Sequence, residues 1–325
     1  MRILGIGNAL VDIMTLLQGE YILREFKLPK GSMQLVDRER SEGIKAATAI
    51  FPRTWTSGGS AANTIHGLAM LGTDTGFIGS IGRDDIGDFF ENDMKKAGVN
   101  TLLIRRNSPT GTAVALITED SERTFATHLG AATELNETDL NPLLFEGYDI
   151  LYLEGYIINN PPLIETACKI AREKNMLVAI DLASYNVVEE HIDSFRRIVS
   201  GYVDILFANE QEAKAFTGLD GEQALTALSE MAPTVILKIG AEGSWLKTVD
   251  ETIKISAYPV KCIDTTGAGD HYAAGFLFGY ANKLPLEKCG ILGSFMAGKV
   301  IEIIGARMDN ARFREIKKEL NRILS

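Results

Sequence analysis

The sequence predicts an α/β protein: a central, largely parallel, doubly wound sheet with a small β-rich lid. Three observations carry this expectation. From Asp149 onward, short β-branched runs alternate with amphipathic helical runs, as in successive strand–helix units. Residues 13–55 break that rhythm, mixing short apolar pieces with Pro29, Gly31, Gly43 and Pro52. Residues 110–128 read as a β-hairpin, with alternating Ala113 to Thr118, a turn at Glu119-Asp120-Ser121-Glu122 and a returning strand.

In chain order, the first strand is expected over 2–11, with Asp12 at its end. Open α/β sheets gather ligands at that edge, although a plain turn residue fits Asp12 equally well. Gly5 and Gly7 lack the third glycine of a dinucleotide fingerprint. The stretch Ser57-Gly58-Gly59-Ser60-Ala61-Ala62-Asn63-Thr64 turns into a helix of small residues. Such residues let the backbone approach a ligand, and Asn63 offers a donor and an acceptor to a polyhydroxylated one. Tight helix–sheet packing accounts for the same composition.

A strand over 75–81, a turn at 82–85 and a helix over 86–97 ending at Gly98 follow. Later strands are expected at 150–153, 177–180, 205–208, 235–239 and 244–247. Helices are expected at 161–174, 189–200, 210–217, 222–231, 286–303 and 310–324. Glu154, Asp181, Asn209, Glu210 and Glu212 fall just past strand ends. The small residues Gly290, Gly293, Ser294, Ala297 and Gly298 either pack closely on the sheet or line a flat aromatic pocket.

The 325 residues carry a net charge of −10, which argues against a nucleic-acid partner bound through a broad basic face. A small anion remains compatible, because backbone N–H groups can cradle one locally. Cys168, Cys262 and Cys289 lie far apart, and His66, His128, His191 and His271 show no metal-ligand spacing. A reducing, cytoplasmic compartment is the expectation. No stretch approaches a membrane span, and Asn8 and Asp12 interrupt the signal-like start.

The stretch with most chemistry is Asp264-Thr265-Thr266-Gly267-Ala268-Gly269-Asp270, between an extended run over 252–263 and a helical run over 271–281. A glycine-rich turn into a helix N-terminus is an anion site. Asp270 directs a carboxylate at that same place. It is either a helix cap or a base that takes a hydroxyl proton while the N–H groups hold a phosphoryl group.

Gly58-Gly59-x-x-x-Asn63, Asn209-x-x-Glu212 and the 264–270 motif, in that order, resemble the PfkB/ribokinase family of ATP-dependent small-molecule kinases. The likeness spans essentially the whole chain. Gly7-Asn8-x-Leu10-Val11-Asp12, Leu153-Glu154-Gly155-Tyr156, Asp181-Leu182-Ala183-Ser184 and the 202–210 run look most like adenosine kinases. The resemblance implies one ribokinase-like α/β/α domain over 1–325, with segments 13–55 and 110–128 as its lid. It also implies ATP and Mg2+, and some members use a monovalent cation such as K+ beside the Asp264 loop.

Carried over by position, Asp12, Gly58, Gly59 and Asn63 would hold a sugar or ribose, with Tyr156 stacked on a base. Asp270 would be the general base, and Gly267, Ala268 and Gly269 the anion hole. Thr265, Lys238, Gly240 and Gly243 would border the nucleotide, with Asn209 on that side also ordering Mg2+ together with Glu212. The expected acceptor is a nucleoside, with a sugar as the alternative. The lid either covers its own site in a monomer or pairs two subunits. His271 and Tyr272 stand where the family usually has a small residue and Phe. His271 either reaches the acceptor pocket or faces outward. A nicotinamide enzyme and a catalytically silent binding protein are the outlying alternatives; the intact Asp270 and its turn speak against both.

Overall fold

The computed structural model describes residues 1–120 and 122–324. The chain opens with β1 (Ile3–Ile6) and β2 (Leu10–Leu16), then α1 (Tyr21–Glu25), β3 (Met33–Leu35), α2 (Arg38–Ala47) and β4 (Arg53–Gly58). Next come α3 (Ser60–Leu71), β5 (Thr75–Gly82), α4 (Asp85–Lys96), β6 (Asn100–Arg106), β7 (Gly111–Ile117) and β8 (Arg123–His128). Then follow β9 (Ile150–Glu154), α5 (Pro161–Glu173), β10 (Leu177–Asp181), α6 (Tyr185–Glu190), α7 (Ile192–Tyr202), β11 (Ile205–Asn209), α8 (Glu210–Thr217), α9 (Gly221–Ser229) and β12 (Thr234–Lys238). The chain closes with β13 (Ser244–Lys247), β14 (Thr252–Ile255), α10 (Ala268–Ala281), α11 (Leu286–Val300) and α12 (Asn310–Leu324).

The large sheet has the order β14-β13-β12-β11-β10-β9-β1-β5-β6. It is parallel except for β13, which runs antiparallel to both neighbours. Its central strands β1, β9 and β11 read as apolar runs because both faces are covered, whereas the edge strands β6 and β14 carry charged residues. In β9, Ile150 and Tyr152 pack on the side of α3 and α10, whereas Leu151 and Leu153 pack toward α5 and α7. A second sheet, β3-β8-β7-β2-β4, gathers the two segments expected to form the lid. Ser121, in the expected hairpin turn, lies outside the described residues.

Several boundaries differ from expectation. The first strand is two: β1 stays in the large sheet and β2 crosses to the small one. Gly7 is required at the crossing, since a Cβ there would sit 2.4 Å from Glu154 and 2.7 Å from Ala61. Asp12 therefore lies within a lid strand and not at the end of the first core strand. The helix expected at 189–200 is two, α6 and α7, and β6 was not foreseen. The run over 252–263 is a strand only as far as Ile255, and α10 starts at Ala268, placing Asp270 inside its first turn. In α11 the small residues are close packing: a Cβ on Gly293 would meet the Tyr272 ring at 2.8 Å, and one on Gly290 would meet Ile255 at 2.7 Å.

Candidate active site

The carboxyl ends of the parallel strands converge on one edge. There Glu154 ends β9, Asp181 ends β10, Asn209 ends β11 and Lys238 ends β12. Against this edge stand the N-termini of α3 and α10.

Gly267 caps α10 with φ 75°, and a Cβ there would lie 2.6 Å from that of Ala306. Glycine is thus required twice, by backbone and by space. The Ala268 N–H donates to the Thr265 carbonyl (3.1 Å), so this amide of the expected anion hole is already engaged. Asp270 does not cap its helix. Its Oδ1 accepts from Ser60 Oγ (2.7 Å) and its Oδ2 from Asn63 Nδ2 (2.9 Å). Burial raises the Asp270 carboxyl from 3.8 to about 6, and those two hydrogen bonds oppose the rise. Asn63, expected in the acceptor cradle, thus holds Asp270, and its own carbonyl oxygen is buried without a partner. Ser60 was missed in the sequence; a helix-start Ser has an ordinary capping explanation that hides its partner 210 residues away.

The acceptor side is built on Glu154, fully buried, which accepts from the Asn8 N–H (2.8 Å), Asn8 Nδ2 (2.6 Å) and the Ala61 N–H (2.8 Å). Burial pushes its carboxyl to about 7 against those three bonds. Gly59 has φ 101°, and a Cβ there would lie 2.1 Å from the Asn8 carbonyl. The Asp12 carboxylate lies under Gly58, 2.5 Å from where its Cβ would be. Burial raises Asp12 to about 6, Arg307 opposes this and Asp270 adds to it. Gly59, Ser60, Glu154 and Tyr156 open onto a cavity of about 580 Å³ that extends between the two sheets. The Tyr156 hydroxyl donates to the Ala183 carbonyl at 3.4 Å.

On the other side, Lys238 Nζ donates to Asp181 Oδ2 (2.6 Å) and lies 3.2 Å from the Cβ position of Gly269. Asn209 and Glu212 form a capping box on α8: Asn209 Oδ1 accepts from the Glu212 N–H, while the Glu212 carboxylate accepts from the Asn209 N–H (2.7 Å) and Nδ2 (2.6 Å). Burial raises Glu212 to about 7, with Lys238 opposing. Gly240, φ 57°, has open space around its Cβ position. Gly243 does not: a Cβ there would lie 2.0 Å from the Ile255 carbonyl, so this glycine serves packing and not open approach. Among the described residues, no three His, Cys, Asp or Glu gather into a metal cluster.

His271 fits neither expectation. It is fully buried, and Nε2–H donates to the Ala306 carbonyl at 2.8 Å. Burial lowers it to about 4, so the ring is neutral and its buried Nδ1 has no donor. Tyr272 is buried as well and pairs its hydroxyl with Ser244 at 2.6 Å. The small sheet contributes Arg123 on β8, which forms an ion pair with Asp264; Asp264 also accepts from the Thr266 N–H and hydroxyl and from the Gly305 N–H. Arg123 carries no local signal in the sequence, because a charged residue opening a hairpin strand is unremarked on its own.

A family model described as pfkB family carbohydrate kinase matches residues 41–311. The chain belongs to the pfkB family. Adenosine kinase of Saccharomyces cerevisiae is 29% identical over 327 residues, covering 92% of this chain and 94% of that protein. A probable sugar kinase from Rhizobium etli CFN 42 is 32% identical with a TM-score of 0.87, and covers 98% of each chain. The adenosine kinase of Sinorhizobium meliloti is 33% identical with a TM-score of 0.86, again over 98% of each chain. The fold is ribokinase-like and the protein is a PfkB kinase, which implies ATP as phosphoryl donor, typically with Mg2+. Among the described residues no helix is long and apolar enough to cross a membrane.

Proposed function

We propose that this PfkB kinase transfers the γ-phosphoryl group of ATP to a hydroxymethyl group of a nucleoside of the adenosine type. One observation carries this reading: beyond the polar rim of Gly59, Ser60 and Glu154, the cavity has a broad apolar wall of Leu10, Leu35, Leu129, Leu135 and Ile157 with Tyr156 beside them, while its other polar residues, such as Asn159, Asn160, Ser184 and Asn186, are interspersed. A free sugar bears hydroxyls around its ring and would strand them against such a wall. A ribose at the rim places a flat, weakly polar base there instead. Sequence likeness does not choose, since kinases named for adenosine and for sugar resemble the chain about equally.

In this reading Asp12, Gly58, Gly59 and Asn63 hold the ribose, with Asn63 serving chiefly through Asp270. The acceptor oxygen bonds to the γ-phosphorus while the bond to the ADP oxygen breaks, and the proton passes to Asp270. The acceptor hydroxyl takes the place of Ser60 at Asp270 Oδ1. The free amides of the 267–269 turn face the transferring group. Lys238, Thr265 and Gly240 border the nucleotide, with Gly243 packed behind them.

The residues fit Mg2+ as a nucleotide-held ion: Asn209 and Glu212 offer a buried carboxylate and amide, too few for a protein-only cage. Bound on that side, Mg2+ supplies positive charge to the phosphates. The Asp264 carboxylate is already paired with Arg123, so a monovalent cation such as K+ beside this loop would draw on other oxygens. Segments 13–55 and 110–128 act as the lid that excludes water.

ATP consumption measured over nucleosides and sugars tests the reading. The expected result is turnover of adenosine well above that of ribose or fructose. Preference for a free sugar would overturn it.

A further inference from the structure

Between α11 and α12 runs a short segment that touches both halves of the site. The Gly305 N–H donates to Asp264 at 2.6 Å, Ala306 packs against Gly267, and the Ala306 carbonyl is held by His271. The next residue, Arg307, points the opposite way. Its Nε donates to the Ser57 carbonyl (2.7 Å) and its Nη2 to Ser57 Oγ (2.6 Å), immediately before the Gly58-Gly59 cradle. Ser57 Oγ in turn donates to Asp93.

Arg307 is half-buried, and among the described residues no carboxylate lies within ion-pair distance of its guanidinium. Its Nη1 is shielded from solvent and has no hydrogen-bond acceptor. Burial brings it down to about 10, while the facing carboxylates of Asp93, Asp12 and Asp270 resist that fall. A partly buried, imperfectly paired charge is destabilising unless another group needs its field. Asp12 is the group with that need. It lies on β2, and the charged groups facing it are Arg307 and, on α10, Asp270. Its partners across the small sheet, Thr56 on β4 and Ala113 on β7, are uncharged.

We propose that Arg307 is a positioning residue for the acceptor: pinned to the carbonyl and hydroxyl of Ser57, it fixes the Gly58-Gly59 turn that lies over the Asp12 carboxylate, sets a positive charge facing that carboxylate, and through Ala306 and His271 ties this cradle to the phosphoryl side. This rests on the reading that Asp12 holds the acceptor. The guanidinium itself touches no substrate.

The test uses the full chain with adenosine and ATP, following KM and kcat against pH, with a thermal melt of each variant. In Arg307→Gln the adenosine KM at pH 7 is expected to rise ~10-fold, with ATP KM nearly unchanged, and the acid limb of kcat/KM for adenosine to move up by about one pH unit. Arg307→Lys keeps the charge but loses the two-pronged hold. It should leave the limb in place and raise adenosine KM only a few-fold. Asp93→Asn, which removes the other facing carboxylate, should leave the limb in place. An unmoved adenosine KM and limb in Arg307→Gln, or an equal displacement in Asp93→Asn, would overturn the proposal. If Arg307→Gln does not fold, Arg307→Lys decides, and an unchanged adenosine KM there overturns it. Asp12→Asn separates the two layers. If adenosine KM is indifferent to it, the placement of the acceptor on Asp12 fails; if it responds while Arg307→Gln does not, only the role of Arg307 fails.

Discussion

Ser60 Oγ donates to Asp270 Oδ1 across 2.7 Å, joining the first residue of α3 to the first turn of α10. With Asn63 on the other oxygen, both carboxylate oxygens are held from α3, and Ser60 itself lines the cavity. This geometry orients a base. Burial raises the energy of the ionised group while the two donors lower it, and both effects can be measured.

Asp270→Asn should remove most turnover, by on the order of 10²–10⁴-fold, with nucleotide binding retained. The same change should stabilise the fold. A carboxyl raised from 3.8 to about 6 contributes stability that is full below 3.8 and is lost as pH rises through about 6. At neutral pH the ionised Asp270 is therefore a net penalty, and the neutral amide relieves on the order of 1 kcal/mol of it. A melt showing a higher midpoint for the inactive variant checks this; a lower midpoint would show that the carboxylate is better compensated than its burial implies.

The rate should fall on acidification through about pH 6, where both Asp270 and Asp12 take up protons. Ser60→Ala withdraws one of the two donors that favour the charged form of Asp270. Its acid limb should therefore lie higher than that of the unaltered protein, with kcat/KM for the acceptor reduced at pH 6 more than at pH 8. A pH profile of kcat/KM, which reports the free enzyme in which Ser60 still bonds Asp270, reads this directly.

Asn63→Ala removes the Oδ2 donor of Asp270 and one candidate contact to the ribose. Acceptor affinity should weaken far more than ATP affinity, and kcat should fall as the base loses its orientation. Calorimetric titration of each ligand separates the two, and equal losses would count against the placement of Asn63.

Arg123→Met breaks the ion pair between β8 and the Asp264 turn. Both partners are largely shielded, with side chains 12% and 10% exposed, so the loss leaves a shielded carboxylate without its cation. The expected outcome is a kcat lowered more than ~10-fold and faster proteolytic cutting in the 110–128 hairpin. Unchanged turnover and protection would confine Arg123 to surface structure.

The large sheet and the two lid segments were legible in the sequence because periodicity and turn residues are local signals. The need for glycine at position 7, where the chain crosses between the sheets, was not, since the side chain that crowds it, Glu154, lies far along the chain. Similarly, the 264–270 motif shows a site but not what holds it. The partners of Asp270 come from α3, those of Asp264 from β8 and the 305 segment, and the neighbours of Asp12 from Arg307. Local chemistry left Asp270 between cap and base, and Asn63 between ligand and packing. Long-range hydrogen bonds resolved how each is held. His271 was misjudged because its partner, a backbone carbonyl at Ala306, leaves no mark in a sequence.

The Glu154 carboxylate has a consequence for local stability. The chain enters the small sheet through residues 7–9 and leaves it at 59–60, and this single side chain grips both crossings, at Asn8 and at Ala61. Two crossings between the large and the small sheet thus share one buried support, and the same side chain lines the cavity that lies between the sheets. Removing this one carboxylate would therefore loosen both crossings and the cavity wall together, although neither crossing is its neighbour in sequence.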